Sequence, residues 1–103
     1  MKNCNEILND YMDNEYAIHK KGTTMTRCSS IRTSFLPKFG ELYPNLITTK
    51  NINDLYLDMK ENGYAQNTIY GFYCAIRSFF RFIVKHGYGD NNPTLDAMTI
   101  SHK

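Results

Sequence analysis

Residues 67–87, NTIYGFYCAIRSFFRFIVKHG, repeat apolar side chains at helical spacing along their whole length: Ile69, Phe72, Tyr73, Ile76, Phe79, Phe80 and Ile83. A stripe this long and this aromatic cannot face water, so other elements have to cover it. Asn67 or Gln66 is expected to open the helix and Gly87 to close it at His86. In 103 residues, enough for a single core but not a second, the covering elements have to come from the rest of the same small domain.

Those elements read as helices too. Residues 5–19 place Ile7, Leu8, Tyr11, Met12 and Ile18 near i, i+3, i+4 spacing and run into Lys20-Lys21-Gly22, a basic last turn with a capping glycine. A second segment starts near Thr24 or Thr26 and lines up Cys28, Ile31, Phe35, Phe39 and Leu42. Pro37 lies inside it and predicts a kink or break near Phe35, because proline removes one backbone donor and clashes with the preceding turn. Residues 51–62 direct Ile52, Leu55, Tyr56 and Met59 inward and stop at Asn62-Gly63. No segment alternates with period two and none carries a hairpin turn signal, so strands are not expected. The pattern predicts a compact all-α four-helix bundle with a largely aromatic core. The tail GDNNPTLDAMTISHK has little periodicity; the domain is expected to span residues 1–94, with 95–103 beginning a linker.

Charge is distributed by helix. Residues 1–18 net −3, 19–38 net +5 from Lys20, Lys21, Arg27, Arg32 and Lys38, and 39–63 net −2; residues 64–89 net +3 from Arg77, Arg81 and Lys85 without one acid, and 90–103 net −1, for +2 in all. If the second and fourth segments share a side of the bundle, that side is basic. On a wheel of about 100° per residue, Asn67, Tyr70, Cys74, Arg77, Ser78, Arg81 and Lys85 fall between roughly 80° and 180°, off the apolar stripe. This face joins bases to hydroxyl and amide donors, and Gly71 beside it permits close backbone approach. A solvated helix face ordinarily mixes both signs; the absence of acids favours an anion-facing surface. On the second segment Thr26, Ser29, Ser30 and Thr33 lie opposite the core stripe with Arg27 and Ser34 at the flank, suited to phosphate oxygens and equally to water.

Other classes find less support. Three cysteines without a C-x-x-C pair and three histidines fit no zinc spacing, so neither metal nor cofactor is expected. No apolar run approaches the ~20 residues that cross a bilayer, and MKNCNEILND has no signal-like apolar region. A cytoplasmic protein without membrane contact is expected.

The fourth segment resembles the signature helix of the core-binding, SAM-like domain of tyrosine recombinases, the phage integrase family. The likeness rests on Thr68-Ile69, Phe72-Tyr73 and Ala75-Ile76-Arg77-Ser78-Phe79-Phe80-Arg81-Phe82, and continues through KHGYGDNNP to Asn92-Pro93. Upstream, ITTKNINDLYLDMKENGYAQNT is similar to the family's third helix and following turn. The resemblance covers about residues 5–95, most strongly 47–94. Two features depart from it: Ile31 stands where the family usually has an aromatic, and Pro37 interrupts the second helix.

The resemblance implies a DNA-binding domain that clamps one side of duplex DNA at a recombination site during integration, with the second and fourth helices facing DNA. Expected on that face are Thr26, Arg27, Ser30, Asn67, Thr68, Tyr70, Gly71, Cys74, Arg77, Ser78 and Arg81. It also implies a tyrosine nucleophile in a separate C-terminal catalytic domain, so the 103 residues are expected not to be an enzyme by themselves. The partners implied are double-stranded DNA and other recombinase protomers, the fragment itself being monomeric. A free-standing helical protein-interaction module remains the alternative, marked by an exposed apolar patch at Phe82 and Val84. A small hydrolase would need a nucleophile and base in reach, which the scattered Cys and His do not suggest.

Overall fold

A computed structural model describes residues 1–101. Five α-helices follow one another: α1 (Cys4–Ile18), α2 (Lys21–Ser34), α3 (Leu36–Phe39), α4 (Thr49–Glu61) and α5 (Gln66–Lys85), with a 3-10 turn at Pro44–Leu46 between α3 and α4. No strand occurs among the described residues, so the all-α class holds.

Local chemistry sets the helix ends. Asn3 caps α1 in a reciprocal box: its side chain accepts from the Glu6 N–H at 3.0 Å, and its own N–H donates to Glu6 Oε1 at 3.0 Å. Thr48 and Asn51 repeat the device at α4. The C-termini of α4 and α5 end on Gly63 and Gly87, with φ of 82° and 77°. In both, the 6→1 and 5→2 backbone bonds of a Schellman turn form, Tyr64 N–H to Met59 O and Gly63 N–H to Lys60 O in the first, Tyr88 N–H to Ile83 O and Gly87 N–H to Val84 O in the second.

Pro37 breaks the second segment where expected. α2 stops at Ser34, Phe35 turns the corner, and α3 starts with Pro37 in its first turn, where the missing N–H costs nothing. The chain starts α2 earlier than Thr24, however. His19 and Lys20 are extended, and Gly22 lies inside the first turn of α2 instead of capping α1. Ile18, expected in the core, is 63% exposed because α1 ends on it.

The core gathers on α5. Tyr11 meets the edges of Phe79 and Phe82 at 5.4 and 5.3 Å, and Phe35 meets Phe79 and Phe80 at 6.0 and 5.6 Å. α5 packs against α1, α2 and α4, most extensively against α2. Being surrounded on three sides, it buries a wider arc than one stripe: Ala75 and Phe82 are buried with the expected residues, whereas Phe72 is only half-buried. Phe82 therefore does not lie on an exposed apolar patch; Val84 does remain exposed.

The tail also differs from expectation. Residues 95–101 form no helix, but they stay on the bundle: Thr94 and Ile100 are buried and Ala97 and Met98 pack on the core. The Met98 N–H donates to Asn53 Oδ1 at 2.7 Å, and Gln66 Nε2 donates to the Ser101 carbonyl at 2.7 Å. Residues 102 and 103 of the expected linker lie outside the described residues.

One backbone approach has a measurable consequence. The start of α1 docks on the turn after α3, with Asn5 N–H donating to the Gly40 carbonyl at 2.8 Å. A Cβ on the buried Gly40 would stand 2.3 Å from Asn5 Oδ1 and 2.7 Å from the Leu36 carbonyl oxygen. The Asn5 side chain can swing aside; the carbonyl, part of α3, cannot. Gly40→Ala is expected to cost about 1–3 kcal/mol of stability through overpacking, read as a lower urea midpoint with an unchanged slope.

Candidate nucleic-acid interface

α2 and α5, the helices with the largest basic excess, pack directly on each other. The residues expected on their outer faces divide into three groups by what already holds them.

At the α1–α2–α5 junction Arg27 and Ser78 converge on Tyr11. Ser78 Oγ and Tyr11 Oη are hydrogen-bonded at 2.8 Å. Arg27 Nη1 donates to Glu15 Oε1 at 2.8 Å, and Glu15 is itself buried. The Glu15 hydrogen bond raises the Arg27 pKa above its ordinary value, and burial pushes the Tyr11 phenol up to about 12. A buried carboxylate needs a cationic partner. Arg27 and Ser78 are thus engaged within the protein, and Arg27 contributes less net positive potential than the sequence suggested. Glu15, on α1, was missed as its partner because its position twelve residues upstream leaves no local signal.

On the opposite flank of α5, Arg77 lies along Tyr73. Its Nη1 donates to Tyr73 Oη at 2.6 Å, and its guanidinium carbon sits 5.2 Å from the ring centroid. The Tyr73 ring packs on Tyr56 of α4 at 5.6 Å and on Tyr70 at 6.0 Å. Tyr73, assigned to the core stripe by its spacing, is indeed buried, and it also supports the neighbouring base. Tyr70 is half-buried in the same cluster, and Cys74 is exposed beside it.

The remaining residues, Ser30 apart, are open to solvent. Asn67, Thr68, Gly71 and Arg81 are exposed, and no atom lies within 4 Å of where a Gly71 Cβ would be. Arg81 and Lys85 form no ion pair among the described residues, and neither does Arg77. On α2, Ser30 is half-buried, and the exposed Thr26 donates its hydroxyl to the Gly22 carbonyl at 2.9 Å. By contrast, two acids of α4 are already paired, Asp54 with Lys50 at 2.9 Å and Asp58 with Lys38 of α3.

The outer face of α5 is therefore a strip of three bases without a facing acid, edged by an amide, a thiol and an aromatic cluster. Such a strip attracts polyanions. Among the described residues no three His, Cys, Asp or Glu side chains gather as a metal site requires, and no helix is long and apolar enough to cross a membrane. The chain matches no protein-family model, no curated protein and no solved structure.

Proposed function

We propose that this chain is a DNA-binding module of the tyrosine-recombinase type, which lays α5 and the adjoining edge of α2 against the backbone of a duplex. The observation that carries the reading is the unpaired basic strip of Arg77, Arg81 and Lys85 on a helix packed against the other base-rich helix. The first turn of α5 supports it. Ala65 supplies no side-chain cap, so the positive end of the helix dipole stands beside Asn67 and Thr68. Tyr11, Tyr56 and Tyr73 are buried and are assigned no nucleophilic role; the function assigned is binding.

Two measurements test the reading. Affinity for short duplex DNA should be weak, on the order of micromolar, and log K should fall with log salt at a slope of roughly −3 to −4.5 if about three to five phosphates are engaged. A slope near zero would rule out a phosphate-facing strip. The second measurement uses Cys74 as a built-in footprint. Cys74 is exposed on the strip, whereas Cys4 and Cys28 are buried and burial raises both their thiol pKa values. Maleimide should thus modify Cys74 first, and saturating duplex should slow that reaction several-fold. Unchanged alkylation with DNA bound would move the interface off α5.

A further inference from the structure

The three bases of α5 are not equivalent, and the difference lies in Tyr73. Arg81 and Lys85 are exposed, and their side chains make no ion pair among the described residues. Arg77 is half-buried and held twice by one side chain, through the 2.6 Å bond to Tyr73 Oη and through the ring face under the guanidinium. Tyr73 can hold it because Tyr73 is itself fixed: it is 8% exposed, one helical turn before Arg77, with its ring in contact with those of Tyr56 and Tyr70. The wholly buried Tyr56 lies beneath, its hydroxyl unpartnered among the described residues. The Arg77 charge and burial act on the Tyr56 phenol in opposite directions, and burial prevails, raising its pKa.

We propose that Tyr73 is a positioning residue that fixes Arg77 as an oriented fork for a single backbone phosphate, while Arg81 and Lys85 act as mobile screening charges. This rests on the DNA-binding reading above and assigns a division of labour within it. Tyr73 occupies one donor of the guanidinium. The remaining N–H donors of the fork are enough for a bidentate grip on two phosphate oxygens. A guanidinium already oriented loses less rotamer freedom on binding than a free one, so part of the ordering cost is met when the protein folds. An arginine laid on an aromatic ring also keeps its charge, because a cation–π contact, unlike an ion pair, brings no opposing negative charge.

The test is a double-mutant cycle on the whole chain, read by fluorescence anisotropy with a short labelled duplex across a salt series. Tyr73→Phe keeps the ring and its packing and deletes only the oxygen. It should weaken binding by about 3- to 10-fold, the scale of freezing one long side chain, with the salt slope unchanged because the same phosphates are neutralised. Arg77→Ala should lower the slope by about 0.9. In the Arg77→Ala background Tyr73→Phe should have no further effect, because the group it positions is gone. A loss of helix packing alone would instead weaken binding equally in both backgrounds, and thermal melting of each variant checks that directly. The proposal is overturned if Tyr73→Phe binds like the parent, or if its loss persists in full without Arg77. Either result leaves the DNA-binding reading standing; a parent chain with no salt-dependent affinity for duplex would remove both.

Discussion

Reversing both arginines, Arg77→Glu together with Arg81→Glu, is expected to abolish duplex binding while leaving the helical circular-dichroism spectrum in place. Arg81 is exposed and Arg77 half-buried on Tyr73, so the bundle keeps every core side chain and loses only the Arg77–Tyr73 contact. The strip instead changes sign, and two of its three bases become repulsive to phosphate. With about three to five phosphate contacts in total, losing two and adding two repulsions should weaken a micromolar interaction at least about 30-fold. The control lies on α4, where Lys50 is already paired with Asp54 and Lys60 lies a few turns further along the same helix. Reversing those two alters net charge by the same amount and should cost less than about 3-fold, since exposed charges away from the contact are screened over ~10 Å. Equal losses from the two double reversals would mean that attraction follows net charge alone, and the assignment of α5 would be wrong.

How much of this was legible in the sequence depends on the range of the interaction. Signals confined to a few neighbouring residues could be read: Pro37 breaking the helix at Phe35, and Gly63 and Gly87 closing α4 and α5. The basic strip was readable too, because charges three and four apart share a helix face whatever the tertiary fold. Interactions between elements were not. The periodicity of α5 showed one stripe and could not show that α1, α2 and α4 would enclose a wider arc, so Phe82 was placed outside the core it occupies. The tail was misjudged for the same reason. Ile100 is buried and Met98 packs on the core as single residues of an irregular segment, which leaves no period to detect. In the candidate site, the wheel separated core from surface and so placed Tyr73 and Arg77 in different categories. The structure joins them, because a tyrosine at the boundary can bury its ring and still present its hydroxyl to the face. Arg27 shows the converse error: it was a surface base by spacing, and only the folded position of α1 brings Glu15 to it.

The largest stability effect is expected at Phe79. Its side chain is fully buried and meets three rings, Tyr11 at 5.4 Å, Phe35 at 6.0 Å and Phe80 at 6.2 Å, so it joins α1 and the corner between α2 and α3 to α5. Phe79→Ala removes the whole ring from a site whose walls are themselves rigid aromatics, and the cavity cannot collapse fully. A cost of about 3–5 kcal/mol is expected, a large part of the roughly 5–15 kcal/mol that holds such a domain together. In a chain of this size each kcal/mol moves the melting midpoint by about 4–8 °C, so the variant should melt at least about 12 °C lower. Phe79→Leu, which keeps most of the volume, should cost distinctly less. A Phe79→Ala protein that melts within a few degrees of the parent would show that α5 is not the hub of the core. The same variant separates scaffold from surface. At a temperature where it remains folded it should bind duplex with the parent's salt slope, because Phe79 touches no phosphate and Arg77 is held by Tyr73 and not by Phe79. Arg77→Glu with Arg81→Glu should show the reverse pattern, binding lost with a midpoint lowered far less than by Phe79→Ala, since only the Arg77–Tyr73 contact is removed.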